Sequence, residues 1–142
     1  MDVNVGPIIV LEDDLDDQEI LREIFIELKV TNQIVFFTQA KEVLEYLYTT
    51  TEKPFLILSD VNLPSMNGLE LRQVIFDDDY LRQKSIPFVF ISTSADKYAV
   101  KQAYNLTVQG YFVKQHSIAE IKETIKLILD YWEKCKHVNS SL

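Results

Sequence analysis

The sequence predicts an α/β fold: a five-stranded parallel sheet with helices on both faces. Three observations predict it. Five short apolar runs recur along 142 residues, with amphipathic stretches between them. The runs are continuous rather than alternating, the pattern of strands buried on both faces. Alternation of strand and helix along one chain implies parallel pairing through helical crossovers.

The first run, Ile8-Ile9-Val10-Leu11, stops at Glu12-Asp13-Asp14. Asp16 or Asp17 can cap the first helix, whose apolar face is Ile20, Leu21, Ile24, Phe25 and Leu28. The second run is Ile34-Val35-Phe36-Phe37, followed by a helix over about Ala40 to Tyr48 with Val43, Leu44 and Leu47 inward. The third run, Phe55-Leu56-Ile57-Leu58, ends in Ser59-Asp60. A third helix begins near Asn67 and carries Leu69, Leu71, Val74 and Ile75. The fourth run, Phe88-Val89-Phe90-Ile91, ends in Ser92, and a fourth helix spans about Asp96 to Leu106 with Tyr98, Ala99, Ala103 and Leu106 on its apolar face. The fifth run, Tyr111-Phe112-Val113, ends in Lys114. The fifth helix starts at Ser117 as N-cap, with Glu120 at the capping-box position and Ile118, Ile121, Ile125, Ile128, Leu129 and Trp132 inward. The polar tail after about Cys135 is expected to fray.

Length fits one domain, with a core over about 7–134 and no output domain after it. A net charge of −8 disfavours direct nucleic-acid binding and anionic membranes. One cysteine, Cys135, allows neither an internal disulfide nor a thiolate zinc site, which fits a reducing compartment. No signal peptide is visible and no apolar run approaches the ~20 residues of a membrane span. The expected location is the cytoplasm.

In open parallel sheets ligands bind at the carboxyl ends of the strands, where the strand order reverses. The residues that close the runs are Glu12 and Asp13, Asp60, Ser92 and Lys114. The doubly wound, flavodoxin-like order 2-1-3-4-5 makes the first and third strands neighbours, so the three carboxylates converge. Their mutual repulsion calls for a divalent cation, and oxygen donors select a hard one such as Mg²⁺ or Mn²⁺. With that cation and Lys114, the edge suits a dianionic phosphoryl group, and Asp60 can act as nucleophile.

Four segments, in order, carry a resemblance: Ile9-Val10-Leu11-Glu12-Asp13-Asp14; Leu58-Ser59-Asp60-Val61-Asn62-Leu63-Pro64-Ser65-Met66-Asn67-Gly68; Pro87-Phe88-Val89-Phe90-Ile91-Ser92-Thr93; and Gly110-Tyr111-Phe112-Val113-Lys114. Together they resemble the receiver domain of two-component response regulators, close to its single-domain, chemotaxis-type members. The resemblance implies Asp60 as phosphoacceptor and Asp13 as direct metal ligand, with Glu12 acting largely through water. It implies that the backbone carbonyl of Asn62 completes the metal shell. Ser92 matches the switch hydroxyl, with Thr93 beside it as the alternative. Tyr111 matches the switch aromatic and Lys114 the phosphoryl-binding lysine, while Asn62 and Ser94 sit where hydrolysis is tuned. Pro64 and Gly68 match turn positions. The implied partners are a histidine kinase or histidine phosphotransfer domain and a downstream protein. The face of the fourth helix, fifth strand and fifth helix is available for a homodimer.

One departure stands out. The family usually has Pro after this lysine, joined by a cis bond, and here it is Gln115. A cis bond without Pro costs ~3–4 kcal/mol, so a trans bond, or a strained one, and a shifted loop are expected. Two rivals share these residues. A haloacid-dehalogenase-like phosphatase also uses a strand-end Asp with Mg²⁺ but needs a second Asp two residues on, where this chain has Asn62. A degenerate receiver acting only as a binding module usually lacks the acceptor, the acid pair or the lysine, and all are present.

Overall fold

A computed structural model describes residues 5–137. Five parallel strands, β1 (Ile8–Leu11), β2 (Ile34–Phe37), β3 (Leu56–Ser59), β4 (Phe88–Ser92) and β5 (Gly110–Val113), lie in the order β2-β1-β3-β4-β5. The helices are α1 (Leu15–Glu27), α2 (Ala40–Thr49), α3 (Gly68–Asp77), α4 (Asp79–Gln83), α5 (Lys97–Asn105) and α6 (Ile118–Lys134). On one face, α1 and α6 bury Leu21, Ile24, Phe25, Ile125 and Ile128 against Ile8, Val10, Leu56 and Leu58. On the other, α2 to α5 bury Val43, Leu47, Leu71, Ile75, Leu81 and Ala103 against Ile9, Leu11, Ile57 and Phe90.

The fold and strand order are as expected, with several corrections. The described residues form six helices rather than five. The extra one, α4, is a single short turn whose inward residue is Leu81, 2% exposed. A helix that short leaves no periodicity to read. Asp78 closes α3 and, through its carboxylate on the Leu81 N–H, opens α4. The N-cap of α1 is Asp14, not Asp16 or Asp17; its carboxylate accepts from the N–H groups of Asp16 and Asp17 at 2.8 and 3.1 Å. Ser117 caps α6 by accepting from the Glu120 N–H at 3.0 Å, while the reciprocal bond of a capping box forms at α2, where Glu42 accepts from the Gln39 N–H, and at α3, between Asn67 and Glu70.

Burial on both faces holds for β1, β3 and β4 but not for the edges: β2 and β5 are half-buried, and Val113 is exposed. Tyr98 and Ile118 also stand in solvent, because each lies in the first turn of its helix, beyond the edge of the sheet. The chain just after α6 is anchored rather than frayed. His137 is buried, its ring packs on Phe55 and Trp132, and Nε2 meets the Trp132 carbonyl at 2.8 Å. Residues 138–142, the rest of that tail, lie outside the described residues.

Helix α1 ends in a Schellman turn: the N–H of Val30 donates to Phe25 and that of Lys29 to Ile26. Lys29 therefore sits at φ 58°, where a Cβ costs ~1–2 kcal/mol. Lys29→Gly should raise stability by about 0.5–1 kcal/mol, read as a higher urea midpoint at unchanged slope.

Candidate functional site

The site is assembled where β1, β3, β4 and β5 end. The Asp60 N–H donates to the Leu11 carbonyl at 3.0 Å, carrying the β1–β3 ladder one residue past the strands. The Glu12 N–H donates to Phe37 of β2 at 3.0 Å, and the buried Gln18 amide reaches back to the Glu12 carbonyl at 2.7 Å. Glu12 is thus held on both sides and is only 4% exposed.

Lys114 arrives from the opposite side of the edge. Its backbone N–H continues the ladder to the Ser92 carbonyl at 2.8 Å. Its Nζ lies 2.6 Å from Glu12 Oε1, 3.1 Å from Asp17 Oδ2 and 3.9 Å from Asp60 Oδ2. The peptide bond to Gln115 is trans, as expected, and the lysine still reaches the site. Three acids around one amine explain its tolerance of burial. Burial works to lower the Lys114 pKa; the hydrogen bond and charge of Glu12, then those of Asp17, outweigh it and hold the amine above its ordinary value. Burial pushes the Glu12 carboxyl above the usual glutamate value, and the Lys114 bond offsets only part of that.

Asp60 Oδ1 accepts from the Ser92 hydroxyl at 2.9 Å and from the Asn62 N–H at 3.1 Å. Oδ2 is the oxygen left facing Lys114. The Ser92 oxygen in turn accepts from the Ser94 N–H at 3.1 Å, and the Asn62 side chain donates to the Ser94 hydroxyl at 2.7 Å. The Tyr111 hydroxyl donates to the Ser94 carbonyl, and its ring packs on Phe90. Burial raises the Tyr111 pKa, with the charges of Asp96 and Asp60 adding to it. Of the two adjacent hydroxyls, Ser92 is the one on the carboxylate; Thr93 is exposed.

The structure therefore joins Glu12, Asp60, Ser92, Lys114, Asn62, Ser94 and Tyr111 in one network. Asp13 is exposed beside it and makes no hydrogen bond or ion pair among the described residues. Nor do the described residues hold three or more acid, His or Cys side chains gathered into a metal cage. The amine of Lys114 stands among the carboxylates instead. The donor set still suits a hard divalent cation in chemistry: every candidate ligand is an oxygen, and three carboxylates outnumber the single amine.

Asp17 is the residue that sequence reasoning underrated, reading it only as an acid favoured at a helix start. Its place one turn after Glu12, at the same sheet edge, was the available signal. Gly68 also does more than shape a turn. A Cβ there would lie 2.2 Å from the Asp60 carbonyl oxygen and 2.8 Å from the Phe90 ring. The Gly68 N–H donates to the Val61 carbonyl at 2.9 Å, so α3 begins pressed against the backbone that carries Asp60.

Residues 8–126 match the model of the response regulator receiver domain. The chain is 29% identical over 129 residues to the probable methanogenesis regulatory protein FilR2 of Methanothrix harundinacea, covering 88% of this chain and 82% of that one. It is 25% identical over 130 residues to response regulator Rcp1 of Synechocystis, covering 88% and 87%. Among solved structures, the phosphorylated cyanobacterial phytochrome response regulator RcpA superposes with a TM-score of 0.84 at 27% identity, covering 94% of this chain and 98% of that one. The Mn²⁺-bound form of Rcp1 shares the fold at a TM-score of 0.80 and 23% identity, covering 92% and 97%.

Proposed function

Because this chain belongs to the response regulator receiver family, a family of two-component signalling rather than of metabolic enzymes, we propose that Asp60 accepts a phosphoryl group from the phosphohistidine of a histidine kinase or histidine phosphotransfer domain, and that this switches binding to a downstream protein. The observation that carries the reading is the Asp60 carboxylate. One oxygen is held by Ser92 and Asn62, and the other faces Lys114.

Asp60 Oδ2 attacks phosphorus, the P–N bond to histidine breaks, and the imidazole leaves with that electron pair. Lys114 exchanges a carboxylate for a phosphoryl oxygen. The Ser92 hydroxyl turns from Asp60 Oδ1 to the new group. That movement loosens Ser94, on whose carbonyl Tyr111 is latched, and so passes the change to α5, β5 and α6. Water later attacks phosphorus, the P–O bond breaks, and carboxylate and inorganic phosphate result. Asn62 and Ser94, hydrogen-bonded to each other at 2.7 Å, tune the lifetime of that group. Asp13, Glu12, Asp60 and the Asn62 carbonyl would hold Mg²⁺ or Mn²⁺, which when bound supplies positive charge to the phosphoryl oxygens.

The test is incubation with Mg²⁺ and a small acyl phosphate. One phosphoryl group should add, and borohydride reduction followed by peptide mapping should place it on Asp60. A label on any other residue, or turnover of a phosphate monoester, contradicts the proposal.

Lys114→Met should slow phosphoryl uptake by about 10²-fold, the usual effect of losing one donor to a developing charge. The same change leaves Glu12 buried without its amine, so its pKa rises further. A carboxyl whose folded-state pKa stands above its unfolded value contributes stability present below the unfolded pKa and lost as pH rises through the folded one. The variant should therefore lie nearest wild type in acid and fall behind as pH rises, seen in urea unfolding at about pH 5 and about pH 8.

A further inference from the structure

At the other end of the sheet, where β3, β4 and β5 begin, lies a cavity of about 330 Å³. Arg72, Arg82, Lys136, Gln109 and Trp132 help to line it, and among the described residues no aspartate or glutamate does. In a chain of net charge −8 that is a strong local bias. Arg82 is bridged to Asp79 at 2.7 Å, so its charge is shared at the rim.

Arg72 is different. It is 7% exposed. Its Nε donates to the Leu106 carbonyl at 2.9 Å and Nη2 to the Thr107 hydroxyl at 3.2 Å. Its guanidinium lies over the Phe88 ring, 5.6 Å from the centroid, but among the described residues Nη1 has no hydrogen bond and no carboxylate lies within ion-pair distance. Burial alone lowers its pKa, with no nearby acid to oppose it. Buried charges are normally paired. Lys114, half-buried and surrounded by acids at the opposite edge, shows how this chain treats another cation withdrawn from solvent.

We propose that this cavity binds a small organic anion: a carboxylate or a phosphorus oxyanion on an apolar body. The head group meets the guanidinium of Arg72, whose planar fork matches such oxyanions. The body lies against Trp132 and the apolar walls at Leu47 and Ile57. A few hundred Å³ with apolar walls and few polar groups is the usual form of a small-molecule site. Nothing in this assignment depends on Asp60.

Phenylphosphonate and benzoate are suitable probes for the full chain, because neither carries a transferable phosphoryl group. Benzyl alcohol serves as the neutral analogue. Trp132 is the single tryptophan, so its fluorescence reports on the cavity directly. Either anion should give a saturable fluorescence change at about millimolar concentration or below. Amide and side-chain NMR shifts should centre on Arg72, Gln109 and Trp132, and the two anions rank the head groups. Arg82→Gln combined with Lys136→Gln should weaken binding about tenfold by removing local charge while leaving the buried Arg72 in place. Arg72→Met should abolish it, and if that variant fails to fold the double variant decides. The proposal is overturned by no saturable change, by equal binding of benzyl alcohol, by unchanged affinity in the double variant, or by shifts confined to the neighbourhood of Lys114.

Discussion

Asp60→Asn should lose phosphoryl uptake completely and keep its fold. The asparagine amide has no carboxylate oxygen to form an acyl phosphate, so a label retained at the wild-type rate would move the acceptor elsewhere, with Asp13 the first candidate. Stability has a separate logic. The carboxylate's two close hydrogen bonds both end on Oδ1, from Ser92 at 2.9 Å and from the Asn62 N–H at 3.1 Å. An amide oxygen in that place accepts both. The lost charge sits 3.9 Å from an amine already held more closely by Glu12 and Asp17. The urea-derived stability should therefore stay within about 0.5 kcal/mol of wild type or rise. A phosphorylation-dead chain that is well folded separates the chemistry from the scaffold.

Gly68→Ala should behave in the reverse manner, with every reacting side chain intact and the scaffold damaged. The added methyl would meet the Asp60 carbonyl oxygen at 2.2 Å, the Phe90 ring at 2.8 Å and the Val61 Cα at 3.0 Å. Two of these are backbone atoms flanking the acceptor, and the third belongs to a wholly buried ring. No flexible side-chain end can give way, so the start of α3 and the β3–α3 loop must part. A loss of about 3 kcal/mol is expected, at the upper end for overpacking, with slower phosphoryl uptake because Asp60 moves with its backbone. Gly110→Ala is the matched control. Its Cβ would meet only side chains, Phe112 at 3.2 Å and Val89 at 3.7 Å, and a change of under about 1 kcal/mol is expected.

The sheet was legible because a central parallel strand must be apolar on both faces, and Ile8–Leu11, Leu56–Ser59 and Phe88–Ser92 are. The gathering of Glu12, Asp60, Ser92 and Lys114 was legible for a related reason: a polar residue that ends such a run lies at the sheet edge. Other features depend on partners distant in the chain. Asp17 looks like any acid at a helix start until Lys114, 97 positions later, is folded against it. The choice of Asp14 over its neighbours as cap depends on the turn after β1, where several adjacent acids would all serve. Helix α4 has too few residues to show a period. The role of Gly68 is invisible locally, since it is set by the carbonyl of Asp60 pressing on it from outside the helix.

The placement of Trp132 bears on how this switch can be observed. The only indole lines the same cavity as Pro87 and Gln109, where strands begin, at the opposite end of the sheet from Asp60. Trp132 is carried by α6, so its emission senses chemistry at Asp60 only through that helix, whereas an anion in the cavity meets the indole directly. The two ends of the sheet can be followed in the same sample: mass counts phosphoryl groups on the chain, and a change of emission without a change of mass reports on the cavity end.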